Sequence, residues 1–262
     1  MAVRSSVVRE SAKNRSTAIK MALIAASVLF ALAAILLLYK VWAYWKQTPE
    51  GVYAPYQEDT VGNTEDTDKM PNPDWVKLKQ ANSACIGWIC IPGTKINYPI
   101  VKGGNANKGE REWWLHHDFE GHQSSYGAIA TDLDGGLDEA NNFIYGHNMA
   151  DGSMFHDLNK YLEGSYLKDH AYAYIVTPDR SMRLVITSVS LVPGNKSRFW
   201  LRNDFGDKAE LRRYLEEFYK NSEVKSADGK NVIRGKGQNF CLYTCYGADD
   251  RYRVLVMAQQ EH

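Results

Sequence analysis

The hydrophobic pattern divides the chain into three parts. From Met21 to Tyr39, nineteen residues (MALIAASVLFALAAILLLY) pass without a charge, a proline or a glycine. At about 1.5 Å rise per residue, a helix of that length nearly crosses a hydrocarbon layer about 30 Å thick. Such a helix is apolar all round, which suits lipid better than one side of a core. From Gln47 to Met70 the pattern turns polar and acidic, with Pro49, Gly51, Pro55 and Gly62 set among Glu58, Asp59, Glu65, Asp66 and Asp68. No apolar period runs through this stretch, and an extended linker is predicted. Beyond Pro73, short apolar runs alternate with turn residues.

Those runs are rich in β-branched and aromatic residues, as half-buried strands are. Residues 86–91 precede Pro92-Gly93, and 96–101 precede Gly103-Gly104. Shorter runs follow at 126–130 and 142–145. Residues 171–176 end at Pro178-Asp179, 182–192 form a longer run, and 240–244 and 252–258 close the domain. Eight or so strands with regular turns predict a mostly β fold, an antiparallel barrel or sandwich. Two segments break the pattern. Asp74–Lys79 reads as a short helix capped near Asn72 or Asp74. Asp207–Lys220 (DKAELRRYLEEFYK) places Leu211, Tyr214, Leu215 and Phe218 at helical spacing, with acids early and a lysine late.

Charge orients the membrane segment. Arg4, Arg9, Lys13, Arg15 and Lys20 precede it, while only Lys40 and Lys46 follow nearby. The positive-inside rule then leaves the N-terminus in the cytoplasm and the rest outside, with Trp42, Tyr44 and Trp45 as an interfacial belt. The apolar run exceeds the roughly 7–15 residues of a signal-peptide core, so an uncleaved single-pass plasma-membrane anchor is expected. The predicted organisation is a basic cytoplasmic tail at 1–20, a transmembrane helix at 21–39, an extracellular linker at 40–72 and a folded domain at 73–262. Over the whole chain 31 Lys and Arg balance 31 Asp and Glu, so no basic excess points to nucleic acid as a partner.

Four cysteines stand at 85, 90, 241 and 245, too few for a disulfide scaffold and without CxxC spacing. No metal or cofactor is expected. Cys241 lies inside a strand-like run and reads as a buried, inert thiol. Cys245 ends that run, just before Tyr246-Gly247, where a sulfur can face solvent. To attack a carbonyl, a cysteine must become thiolate, which needs a cation nearby. Arg253 and Arg251 both lie on or near the next strand, and alternation puts them on the same face, so spacing does not choose between them. His147 follows the run ending at Gly146, and histidine is the natural proton-transfer group near neutral pH. The other histidines, at 116, 117, 122, 156, 170 and 262, read as solvated or structural.

Leu242-Tyr243-Thr244-Cys245, with an arginine on the following strand, resembles the signature of the sortase family. Tyr145-Gly146-His147-Asn148-Met149, continuing to Leu158, resembles class B sortases in particular, as do Gly87-Trp88-Ile89, the stretch Ile91–Ile100 and the helix before the cysteine strand. The ordered set carries the resemblance, which covers about residues 73–258. It implies a closed sortase-type β-barrel with N-terminal helices and a helix in the long loop before the cysteine strand. It further implies Cys245 as nucleophile, His147 as general acid/base and Arg253 as oxyanion and substrate contact, with Thr244, Tyr243 and Asn148 touching substrate. Tyr243 departs from the small polar residue that many class B members carry there. The implied activity is transpeptidation. A C-terminal sorting motif of a secreted protein is cleaved after threonine, and the acyl group passes to an amine of a peptidoglycan precursor or a pilin. The same residues also fit a membrane-tethered cysteine protease, and the surface location fits a non-catalytic scaffold.

Overall fold

The computed structural model describes residues 2–46, 48–56, 70–104, 112–132, 136–247 and 251–261. Two compact units meet in sequence between Thr48 and Pro49. The first is one helix, α1 (Ala2–Trp45). Within it Ile19–Trp45 is long and apolar enough to cross a membrane. The helix therefore runs past the predicted 21–39 span and carries Trp42, Tyr44 and Trp45 on its last turns.

The second unit opens with α2 (Pro49–Tyr53) and a 3-10 turn (Ala54–Tyr56). Tyr53 packs edge-on against Tyr98 at 5.4 Å, and Tyr56 against Phe119 at 5.3 Å. The Tyr56 hydroxyl donates to Glu120, and its carbonyl accepts from the Asp74 amide at 3.0 Å. Residues 49–56 thus belong to the folded domain rather than to the predicted 40–72 linker. Tyr53 and Tyr56, set among Pro49 and Pro55, leave no period to read, and their partners lie far along the chain. Residues 57–69 of the linker reading lie outside the described residues.

Next come α3 (Trp75–Ala81), β1 (Cys85–Cys90), β2 (Asn97–Val101), α4 (Trp113–His116), β3 (Ile129–Thr131) and β4 (Asn141–Tyr145). A 3-10 stretch (His156–Leu162) and α5 (Gly164–Asp169) lead to β5 (Tyr172–Val176) and β6 (Ser181–Pro193). The chain continues through α6 (Ser197–Trp200), α7 (Lys208–Asn221), β7 (Val224–Lys225), α8 (Gly229–Ile233), β8 (Asn239–Cys245) and β9 (Tyr252–Gln260). The helix starts follow cap chemistry: Asp74 accepts from the Lys77 amide and Asp207 from the Glu210 amide.

Among the described residues the sheet has nine strands in the order β5-β1-β2-β3-β4-β8-β9-β6-β7, and β5 also pairs with β6. That last pairing closes eight strands into a barrel and leaves two-residue β7 on the outside of β6, so no long edge stays open. Most neighbours are antiparallel, but β2–β3 and β4–β8 are parallel. Alternation sorts the side chains. Phe240, Leu242, Val254 and Val256 point into the barrel with Ile129 and Ile144. Cys241, Leu255, Met257 and Phe143 point outward and are covered by Tyr214, Leu215 and Phe218 of α7. Each such aliphatic or aromatic side chain contributes about 1.5–3 kcal/mol when fully buried, so the insertion between β6 and β8 is held firmly over the outer face of β4, β8 and β9.

Candidate active site

β8 carries Cys241, Tyr243 and Cys245 on that outer face. Its antiparallel register with β9 sets Cys245 directly opposite Arg253. Opposed residues in such a pair have Cβ atoms about 4.5–5.5 Å apart and side chains on one face. On the other side of β8 runs β4, in parallel, with Tyr145 level with Tyr243. Continuing that register by two residues brings His147 level with Cys245. The pair of strands is tied beyond its ladder by the Thr244 hydroxyl, which donates to the Gly146 carbonyl at 2.8 Å. Cys245, His147 and Arg253 line one cavity of about 560 Å³ together with Tyr145, Tyr243 and Leu115. Its roof is Gly194, Asn195, Ser197 and Leu201 of the β6–β8 insertion, and Glu112 and Asp132 supply two carboxylates to the wall.

The four cysteines differ sharply in setting. Cys85, Cys90 and Cys241 are buried, while Cys245 is half-buried and borders the cavity. Burial pushes the Cys85 and Cys90 thiols up to about 12 and raises Cys241 as well. None of the four forms a disulfide among the described residues. The His147 ring is oriented by α4: its Nε2 lies 2.7 Å from the Leu115 carbonyl oxygen. A carbonyl only accepts, so Nε2 carries the hydrogen and the neutral ring keeps its lone pair on Nδ1. Leu115 is held in turn by its neighbour Trp114, whose indole donates to the Lys102 carbonyl at 3.1 Å and whose carbonyl accepts from Ala128 at 2.7 Å. Arg253 donates from Nη1 to the Tyr252 carbonyl at 3.1 Å. The arrangement places a sulfur, an imidazole and a guanidinium around one cavity, groups of the kinds that acyl transfer through a thioester uses.

No family model matches the chain. Two curated relatives do. Sortase B of Listeria monocytogenes is 27% identical over 184 residues, 70% of this chain and 71% of that protein. Sortase B of Staphylococcus aureus is 26% identical over 191 residues, 71% of this chain and 74% of that one. In three dimensions the chain is similar to the X-ray structure of a mutant form of Clostridium perfringens sortase B, with a TM-score of 0.64 at 25% identity over 71% of this chain and 86% of that one. By sequence and by fold the domain is similar to class B sortases.

Within this domain the residues singled out from sequence fall into two groups. Cys245, His147, Arg253 and Tyr243 all face the cavity, and Tyr243 packs on Tyr145 with ring centroids 5.7 Å apart. Arg251 sits in the turn before β9 and lines a different hollow with Pro193, Asn195 and Tyr252. Thr244 borders the cavity, but its hydroxyl is engaged by Gly146 and the residue is 2% exposed. The Asn148 side chain is committed to Gly247 and His156. Sequence reasoning overlooked Leu115, which acts through a backbone carbonyl and so leaves no side-chain signature, and the roof residues Asn195, Ser197 and Leu201. Their segment shows no apolar period; the Gly194 amide, which donates to the Arg251 carbonyl at 2.7 Å, and Trp200, which packs on Tyr214 and Phe218 of α7, hold it in place.

Proposed function

We propose that Cys245, His147 and Arg253 are the working groups of a transpeptidase anchored in the plasma membrane by α1, with the domain on the outer face. The observation that carries this reading is the cross-strand pairing of Cys245 with Arg253 in the cavity that His147 also lines. The substrate is a secreted protein presenting a C-terminal sorting motif. The Cys245 thiolate attacks the threonine carbonyl carbon, a C–S bond forms, and the oxygen takes up the π electrons beside the Arg253 guanidinium. The tetrahedral adduct collapses, the C–N bond breaks, and the leaving amine takes a proton from the His147 imidazolium through Nδ1 while Nε2–H stays on Leu115. A thioester remains on Cys245. An amine of a peptidoglycan precursor or a pilin attacks it, gives its proton to His147, and expels the thiolate. One amide is exchanged for another without change of oxidation state. The membrane anchor suits this chemistry, because secreted substrate and lipid-linked acceptor arrive at the same surface.

The test is mass spectrometry of the products formed from a panel of sorting-signal peptides, with and without added oligoglycine. The expected result is an acyl adduct on Cys245 and a product that carries the glycine amine; Cys245→Ala and His147→Ala are each expected to abolish both. A product that never incorporates the amine would make the protein a protease. Retained activity in Cys245→Ala would remove the assignment.

A further inference from the structure

The loop that follows β4 carries His147, and the loop that follows β8 begins just after Cys245. The first loop is closed on itself. The Phe155 amide donates to the His147 carbonyl at 2.8 Å, and Asn148 bridges Met154. Met154 holds a left-handed backbone with φ of 56°, and its amide donates to the Tyr98 hydroxyl at 3.0 Å. One side chain reaches from this loop to the other. Asn148 Nδ2 donates to the Gly247 carbonyl at 3.1 Å, across 99 positions of chain. The far end of the same amide is also engaged, for Oδ1 lies 2.8 Å from His156 Nδ1. An amide oxygen only accepts, so His156 Nδ1 carries the hydrogen. The two bonds therefore agree on which way the amide faces. Gly247 aims its carbonyl from a left-handed backbone, φ 68°, that a side chain would strain. Asn148 stands immediately after the histidine, and Gly247 stands two residues after the cysteine.

We infer that Asn148 is a positioning residue, and that with His156 it forms a brace holding the His147 loop in register with the Cys245 loop. This inference rests on the reading of Cys245 and His147 as the reacting pair. It replaces the expectation that Asn148 touches substrate, because both ends of its amide are engaged within the protein. It also assigns His156 a task that its position in sequence does not announce. The brace governs the approach of imidazole to sulfur, the geometry on which thiolate formation depends. Among the described residues, the other charged groups lining the cavity with that pair are Arg253, Glu112 and Asp132.

The experiment follows the alkylation of Cys245 by iodoacetamide in the full-length protein as a function of pH, with thermal unfolding as the control for folding. This probe has no peptide, so a substrate contact leaves it unmoved. Cys85, Cys90 and Cys241 are buried with raised thiols, so labelling at neutral pH reports Cys245. Asn148→Ala is expected to slow the reaction at pH 7 by about tenfold and to move its pH midpoint upward, the scale expected when a reacting group is displaced by a fraction of an ångström. Asn148→Asp keeps the acceptor for His156 but sets a carboxylate oxygen against the Gly247 carbonyl, and is expected to be at least as slow. His156→Phe is expected to lie between these and wild type. An Asn148→Ala protein that melts normally and keeps the wild-type rate and pH midpoint overturns the brace. So does Asn148→Asp matching wild type. Loss of the brace alone leaves Cys245 the residue labelled; a Cys245 whose alkylation midpoint is the same in His147→Ala as in wild type instead undoes the underlying pairing.

Discussion

Gly146 separates the last ladder residue of β4 from His147, and its missing side chain decides where the histidine can go. A Cβ there would lie 2.3 Å from Ile129 Cδ1, a fully buried atom, and 3.4 Å from the Phe155 ring. Gly146→Ala is therefore expected to cost about 1–3 kcal/mol through overpacking and to slow Cys245 chemistry by shifting His147. Ile129→Val removes the offending methyl. The double variant should be more stable than the sum of the two single costs implies, a coupling that urea unfolding of all four proteins measures. Additive costs would show that the clash is relieved elsewhere. The same scale explains what the chain reveals about its own chemistry. Cys245 and His147 stand out in sequence because one ends an apolar run and the other follows one, whereas spacing left Arg253 level with Arg251 and the resemblance alone singled it out. Leu115 and His156 do not stand out, since one works through its backbone and the other through a bond to a loop residue. Neither use leaves a mark in residue type.

At the scale of elements, the loop from His147 to Phe155 depends on one carboxylate. Asp151 Oδ1 accepts from the Ser153 amide at 2.9 Å and the Ser153 hydroxyl at 2.6 Å, and Oδ2 accepts from Tyr126 at 3.0 Å. Burial raises the Asp151 pKa, but the Ser153 and Tyr126 bonds and the nearby Lys95 outweigh it and bring it below the usual value. A carboxyl lowered in the folded state lends stability above its unfolded pKa of about 3.9, and loses it as the pH falls through the folded value. Urea unfolding at pH 7 should find wild type more stable than Asp151→Asn, and the gap should shrink below about pH 4; a gap that does not change with pH would exclude the carboxylate as its source. The long strands β6, β8 and β9 and the helix α7, whose observed span Lys208–Asn221 lies within one residue of the predicted one, were readable from pattern, whereas the 3-10 stretch His156–Leu162 and α5 were not. Nor were four-residue α4 and two-residue β7. Pieces so short have no period, and tertiary contacts alone hold them.

For the whole molecule, the folded domain starts just after α1 ends. Tyr53 and Tyr56 sit at 2% and 7% exposure in the main core. A fragment beginning at Pro73 should therefore be less stable than one beginning at Pro49 by about 3 kcal/mol or more, the usual cost of removing a buried aromatic. Guanidinium unfolding of the two fragments checks this; equal midpoints would make residues 49–56 dispensable.

The parallel pairing of β4 with β8 has a consequence for the life of the chain before it works. Parallel neighbours need a long crossover, and here it contains β5, β6 and every helix from α5 to α8. In the unfolded chain Cys245 lies far along the sequence from His147, and the two come level only once the ring of strands shuts. Their meeting is thus a property of the finished barrel.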